Sequence, residues 1–145
     1  MLTRLARLAL VLSLGLAAGG TGAQSAAFRV VVHSANGASS LSKADIARLF
    51  LKKSANWPDG RAAVPVDLSE GSAARRAFSR AVLERDVAAV RAYWQQQIFS
   101  GRGVPPAEKA SDAEVLAFVR ANPGAVGYVS AGAELGGSVK ELRVE

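Results

Sequence analysis

A glycine, a serine and two alanines open a predicted helix directly after an apolar run, and this junction has the features of an anion site. It consists of Gly71, Ser72, Ala73, Ala74 and Arg75. Backbone N–H groups in the first turn of a helix have no carbonyl partner within the helix, and the helix dipole adds positive potential there. Small side chains let an anion approach these groups, and Arg75 adds a charge. The alternative, which the segment alone favours, is that Ser72 is an ordinary N-cap and Arg75 a solvated charge.

Three serines before a second predicted helix could complete the same site. Ser39, Ser40 and Ser42 follow one predicted strand, as Gly71 follows another. In α/β folds, ligands bind beyond the carboxyl ends of the strands. If both helices point their first turns into one crevice there, their N–H groups, the serine hydroxyls and Arg75 surround a small oxyanion. Loop polarity and helix capping explain the three serines equally well.

Catalytic groups are few, which argues against an enzyme. His33 is the only histidine, and we expect it to make a structural hydrogen bond; the absence of cysteine excludes a Cys–His pair and thiolate metal sites. Asp67 and Glu70 flank Gly71 and could pair as acid and base, but acidic residues before a helix more often cap it. The sequence has no Walker-type loop, dinucleotide fingerprint or clustered metal ligands. We therefore predict no catalytic residue, no metal and no cofactor.

The first 23 residues have the pattern of a secretion signal. Residues 1–7 are basic, residues 8–18 are uncharged and rich in Leu and Ala, and residues 21–23 form a small-x-small cleavage site. The apolar stretch is too short for a typical membrane-spanning helix. Without cysteine, a lipid-modified N-terminal Cys is excluded. We expect residues 24–145 to form one soluble domain in a bacterial periplasm, not a lipoprotein.

The charge pattern suits a small anionic ligand or simply a soluble basic surface. The net charge is +6, and removal of Arg4 and Arg7 with the signal lowers it to +4. The remaining basic residues are scattered, apart from two short groups. Aromatic residues are not interleaved with them, which argues against nucleic acid as a partner.

Alternating strands and helices predict a single α/β domain, with helices packed on a largely parallel or mixed sheet. We predict strands at residues 28–33, 63–66, 125–129 and 139–144 from their β-branched, apolar sequences. We predict helices that begin after Ser42, near Ser72, after Asp86 and after Ser111, because these residues have N-cap chemistry.

Five short motifs occur in order along the chain. They lie at residues 41–53, at the Trp-Pro-Asp-Gly turn of residues 57–60, at residues 71–78, at the Phe-Ser-Gly of residues 99–101, and at the Asn-Pro-Gly-Ala-Val-Gly-Tyr of residues 122–128. Together they resemble the substrate-binding proteins of phosphate ABC transporters, particularly their short, single-domain relatives. The resemblance covers residues 28–129 and implies one lobe of a type 2 periplasmic-binding-protein fold with a phosphate-like ligand.

The resemblance also marks two departures from the larger family, in which a Gly-Ser-Gly-Thr loop opens the helix that grips phosphate. Ser72 and Arg75 match that pattern, whereas Ala73 replaces glycine and Ala74 replaces threonine. Losing a hydrogen bond to a charged group costs about 1.5–3 kcal/mol, which is about tenfold to over a hundredfold in affinity. The chain is also long enough for only one of two lobes. Tight capture would then need a second copy, as in a homodimer, or another protein as the opposing wall.

The resemblance implies a periplasmic protein that binds phosphate or a similar small oxyanion for ABC transport or for sensing. Its partner would be an ABC permease or a membrane sensor. Sulfate-like and carboxylate-like ligands remain open. The alternative is a periplasmic interaction module that kept the fold and lost the ligand. A third hypothesis, a hydrolase that uses His33 with Ser34 or Ser72, rests on the only histidine.

Overall fold

The structure of the protein, a computed structural model, describes residues 27–145. The predicted signal, residues 1–23, lies outside the described residues. Within residues 27–145, no helix combines the length and the apolar character needed to cross a membrane.

Helices are interspersed with strands along the described residues, which confirms the predicted α/β class. The elements are β1 (Phe28–His33), β2 (Ser40–Leu41), α1 (Lys43–Phe50), β3 (Val64–Leu68), α2 (Ala73–Ala81), α3 (Val87–Phe99), β4 (Ala107–Lys109), α4 (Asp112–Ala121), β5 (Ala125–Ser130), β6 (Val139–Glu141) and β7 (Arg143–Val144). The short strands β2 and β4 were not predicted, and the predicted strand 139–144 is interrupted at Leu142.

The main sheet is mixed and has five strands in the order β4-β3-β5-β1-β6. Strand β3 runs parallel to β4 and β5, whereas β1 runs antiparallel to β5 and β6. The carboxyl ends of β3, β4 and β5 therefore lie at the same edge as the amino end of β1. We call this the upper edge, and it is the edge at which α2 and α4 begin.

The sheet forks between β1 and β6. Their pairing extends to Leu142, whose N–H donates to the carbonyl of Val30 at 2.9 Å. The next residue, Arg143, turns away and pairs in parallel with Ser40 of β2. Because β6 runs antiparallel to β1, this turn occurs near the upper edge. The start of α1, which follows β2, is thereby held at the upper edge as well.

All four helices of the described residues begin at the predicted caps. A capping side chain accepts a hydrogen bond from the N–H group three residues further on, which satisfies one of the orphan donors of the first turn. The pairs are Ser42 with Asp45, Ser72 with Arg75, Asp86 with Ala89 and Ser111 with Glu114.

Stacked aromatic rings attach α2 to the sheet. Phe78 of α2 stacks on Tyr128 of β5, with 4.0 Å between ring centroids and 8° between planes. Phe50 and Phe28 approach the ring of Phe78 at 4.7 and 5.5 Å. Such pairs contribute about 0.5–1.5 kcal/mol each beyond their burial. The position of α2, and of its first turn at the upper edge, is therefore set by the core.

Gly127 of β5 provides a test of the packing between β5, β3 and α4. A Cβ atom at this position would lie 2.8 Å from a methyl carbon of Val115 and 2.8 Å from one of Val66. We expect Gly127→Ala to lower the free energy of unfolding by about 1–3 kcal/mol, because overpacking forces the neighbours apart. Urea unfolding measures this change. At Gly37 an added Cβ meets no atom within 4 Å, so Gly37→Ala should not destabilise the protein. Equal losses in the two variants would contradict the packing.

Candidate functional site

The first turn of α2 lies open at the upper edge. Its N-cap, Ser72, accepts a hydrogen bond from the N–H group of Arg75 at 3.3 Å. Ala73 and Ala74 are the first two residues of the helix, so their N–H groups have no carbonyl partner within it. Gly71 and Ala73 are exposed, whereas the methyl group of Ala74 is buried in the core. Water and small ions can therefore approach the start of this helix.

Among the helices of residues 27–145, α2 alone has no acidic residue at its N-cap or in its first turn. A carboxylate at that position complements the helix dipole. The other three helices carry one there: Asp45 in α1, the N-cap Asp86 in α3, and Asp112 and Glu114 in α4. The start of α2 keeps the positive potential that those carboxylates offset elsewhere.

Arg75 is buried on the inner side of that turn, with only 3% of its surface exposed. Its Nη1 donates to the carbonyl oxygen of Leu68 at 2.6 Å and lies 3.4 Å from Oδ1 of Asp67. Its Nε is buried and has no hydrogen-bond partner. The interpretation of Arg75 as a solvated charge is therefore wrong. The guanidinium is a fixed group between the end of β3 and the start of α2.

Tyr128 completes a buried cluster with Asp67 and Arg75. Its hydroxyl donates to Oδ1 of Asp67 and accepts a hydrogen bond from the N–H group of Leu68 at 3.2 Å. Burial raises the pKa of the Asp67 carboxyl to about 6, although the Arg75 charge and the Tyr128 hydroxyl both oppose the increase. Burial also raises the pKa of Tyr128, which therefore keeps its proton. We call these residues the Asp67–Arg75–Tyr128 cluster.

This cluster was not predicted, although the sequence contains one signal for it. Asp67 interrupts an otherwise apolar strand, where a carboxylate needs a buried partner. It does not pair with Glu70, whose carboxylate instead lies 3.4 Å from Arg91. The acid–base pair of Asp67 and Glu70 is therefore not formed.

The serines before α1 reach the upper edge by a route that was not predicted. They follow the carboxyl end of β1, which lies at the opposite edge, but the loop returns along the sheet to β2. The carbonyl of Ser39 accepts from the N–H group of Arg143 at 3.0 Å, and Ser40 pairs with Arg143. The hydroxyl of Ser42 is engaged, since it donates to Oδ2 of Asp45 at 2.9 Å. The starts of α1 and α2 thus lie at one edge of the sheet. Ser39 and Lys43 line a groove with Ala77, Ala81 and Val82, further along α2, and not with residues 71–75.

His33 makes the structural hydrogen bond that was expected. Its Nδ1 accepts from the N–H group of Ala35 at 3.0 Å. It ends β1 at the edge opposite the start of α2, so it cannot activate the hydroxyl of Ser72. In residues 27–145, no group of three or more His, Cys, Asp or Glu side chains is placed to hold a metal ion.

Comparison with known proteins assigns this sequence to a family. A sequence model described as a PBP superfamily domain matches residues 23–142. No curated protein sequence matches the chain.

Solved structures of phosphate-transport proteins share the fold. A phosphate ABC transporter substrate-binding protein from Clostridium perfringens, solved with bound phosphate, has a TM-score of 0.63 and 20% identity over 81% of this chain and 44% of its own. An ABC-type phosphate transport receptor from Vibrio cholerae has a TM-score of 0.63 and 20% identity, over 81% of this chain and 46% of its own. PstS from Borrelia burgdorferi has a TM-score of 0.62 and 13% identity, over 82% and 47%. At these identities the likeness establishes the fold, and the chain spans less than half the length of each relative.

The Asp67–Arg75–Tyr128 cluster makes the stability of the protein depend on pH. The Asp67 carboxyl has a pKa of 3.8 in its ordinary environment and about 6 in the folded protein. Between these values the folded state holds a proton that the unfolded state has released. The contribution of Asp67 to the free energy of unfolding therefore falls as the pH rises from about 4 to about 6, and it is level above that range.

Asp67→Asn removes this pH dependence, because the amide does not titrate. Urea unfolding of both proteins from pH 4 to pH 7 measures the difference between their free energies of unfolding. We expect that difference to change steadily between about pH 4 and pH 6, since a pKa difference of one corresponds to about 1.4 kcal/mol. A difference that stays constant with pH would contradict the burial of an ionisable carboxyl at this position.

Proposed function

We propose that this chain, which belongs to the PBP superfamily, binds phosphate or a similar small oxyanion at the upper edge of the sheet. The main support for this proposal is that the start of α2 is open to solvent and has no acidic residue at its N-cap or in its first turn. An oxyanion placed there would supply the negative charge that Asp and Glu supply to the other helices.

The donors in this proposal are mainly backbone groups. The N–H groups of Gly71, Ala73 and Ala74 face the opening, whereas that of Ser72 donates to the carbonyl oxygen of Ser69 at 3.0 Å. Small side chains at Gly71 and Ala73 keep the approach clear. Arg75 contributes positive potential from the inner side of the turn, reduced by its neighbour Asp67. Hydrogen bonds from N–H groups to an anion are stronger than those to neutral acceptors. This chemistry binds phosphate or sulfate without a metal or cofactor.

The serines before α1 are the second part of the proposed site. They lead into the start of α1, which lies at the same edge as the start of α2. The first turn of α1 itself adds little positive potential, because Asp45 offsets the helix dipole and the N–H group of Lys43 donates to the carbonyl oxygen of Glu145 at 3.0 Å. In this proposal Ser39 and Ser40 contribute hydroxyl groups, while Ser42 contributes by holding the first turn of α1 in place.

The chain spans less than half of its relatives of known structure, and the proposed role takes this into account. The relatives of known structure are more than twice as long as the part that this chain matches, and they are named as binding or receptor proteins. We propose that the chain binds its anion in the periplasm, without catalysis, for ABC transport or for sensing by a membrane partner. A second copy of the chain, or a permease or sensor, would then provide the wall opposite the start of α2.

Ala73→Glu tests the proposed site without weakening the helix. The new carboxylate occupies the position of the anion at the start of α2 and also complements the helix dipole. We expect the affinity for phosphate and for sulfate, measured by isothermal titration calorimetry, to fall at least about tenfold. Ala88→Glu places the same charge in the first turn of α3 and should leave both affinities unchanged.

The same titrations distinguish the proposal from its alternative. If the unmodified protein gives no heat with phosphate or sulfate at millimolar concentration, the chain is an interaction module that has kept the fold and lost the ligand. An equal loss in Ala73→Glu and Ala88→Glu would show that net charge matters and that the start of α2 does not.

A further inference from the structure

A groove of about 790 Å³ lies where the sheet forks, and none of residues 27–145 occupies it. Its walls are the start of β1, residues 141–144, one face of α2 and the start of α1. It exists because Arg143 pairs with β2, so that the first residues of β1 have no paired strand on that side within the part of the chain that the structure describes. Small-molecule sites have volumes of about 300–1,000 Å³. We call it the fork groove.

The inner lining of the fork groove is apolar and built from small side chains. Ala77 and Ala81 are four residues apart on α2, so their methyl groups lie on the same face of the helix. Val82 and Leu142 line the groove beside them, and both are almost completely buried. Larger residues at the two alanine positions would fill the space, so the alanines keep the groove open.

The rim of the fork groove carries three cations and one anion. Glu141 is already paired with Arg29 at 2.9 Å. Arg143 lies 3.2 Å from Glu145 in an exposed pair, which screening by solvent weakens. Lys43 is exposed and forms no ion pair with any of residues 27–145. The rim therefore has net positive charge, with Lys43 as its uncompensated cation.

A smaller neighbouring cavity extends this positive surface. It has a volume of about 380 Å³ and shares Lys43 and Val82 with the fork groove. Its lining adds Arg48, Lys53 and Arg85 against a single carboxylate, Glu84. Of these, Arg48 is 3.7 Å from Asp45 in an exposed pair. The combined surface attracts an anion toward Lys43.

We propose that the fork groove binds an aliphatic carboxylate, with its hydrocarbon chain against Ala77 and Ala81 and its carboxylate beside Lys43. An inorganic anion gains nothing from the apolar lining, and a neutral hydrocarbon gains nothing from the cations. An amphiphile with an anionic head uses both features. The concave shape favours a single molecule over the flat surface of a membrane. The groove goes beyond the proposed oxyanion site: its lining includes none of residues 71–75, and it shares with that site only Ser39 and the start of α1.

Chain length and head group provide the first test. Titration calorimetry of the purified protein with octanoate and decanoate, both below their micellar concentrations, measures the effect of two methylene groups. Each buried methylene tightens binding about fourfold, so decanoate should bind about fifteenfold more tightly than octanoate. Decanol, which lacks the charge, should bind several-fold more weakly than decanoate. Affinity that does not depend on chain length, or decanol that binds as tightly as decanoate, would overturn the proposal.

Charge reversal at Lys43 locates the carboxylate. Lys43 is the first residue of α1, where glutamate is favourable for the helix, so Lys43→Glu should fold. It should weaken decanoate binding about tenfold, because an attraction becomes a repulsion. Arg102→Glu makes the same change of charge at an exposed position outside the groove and should have no effect. Equal effects of the two variants would contradict a site at Lys43.

Filling the groove separates this site from the oxyanion site. Ala81→Trp should abolish decanoate binding and leave phosphate binding unchanged, with circular dichroism as the check on folding. Ala73→Glu should do the reverse. If Ala81→Trp does not fold, the comparison of octanoate with decanoate still decides the question, because an inorganic-oxyanion site does not respond to the length of a hydrocarbon chain. A protein that binds phosphate but gives no heat with decanoate would overturn this proposal alone, and the opposite result would overturn only the oxyanion site.

Discussion

The buried ion pair between Arg75 and Asp67 is the interaction on which the upper edge of the sheet depends. Two charges removed from water are stable only when they pair well and their other polar atoms find partners. Tyr128 and the carbonyl of Leu68 supply such partners for Asp67 and for Nη1 of Arg75, and Nε of Arg75 is left without one. The cluster joins β3, β5 and the first turn of α2. The pairing also explains why an arginine is acceptable at a helix start, where its charge would otherwise oppose the dipole.

Two open surfaces follow from this arrangement. The Asp67–Arg75–Tyr128 cluster and the ring of Phe78 hold α2 from within, so the groups on its outer side need not pack against the core. The first turn then presents unpaired N–H groups at the upper edge. One to two turns further on, Ala77 and Ala81 present methyl groups to the groove beside the forked sheet. One helix thus has a polar opening at its start and an apolar surface along its side, which are suited to different ligands.

Much of the fold and part of the site could be predicted from the sequence. The four helix starts were predicted correctly because a capping serine or aspartate acts on an N–H group only three residues away. The main strands were predicted because burial selects runs of β-branched residues. Strands β2 and β4 were missed, since two or three residues are too few for a periodic pattern. The burial of Arg75 was missed because it depends on Tyr128, which is 53 positions away in the sequence.

The sequence by itself determined where the helices begin, which residues form the core strands and which helix start lacks an acidic residue. These properties depend on contacts within a few residues, and the local order of side chains specifies them. Only the tertiary structure decided that β1 runs antiparallel to β5 and that the chain forks after Leu142. Strand direction and partner choice are set by pairing between distant segments, which local patterns do not encode. That pairing brought the starts of α1 and α2 to one edge and opened the fork groove beside them.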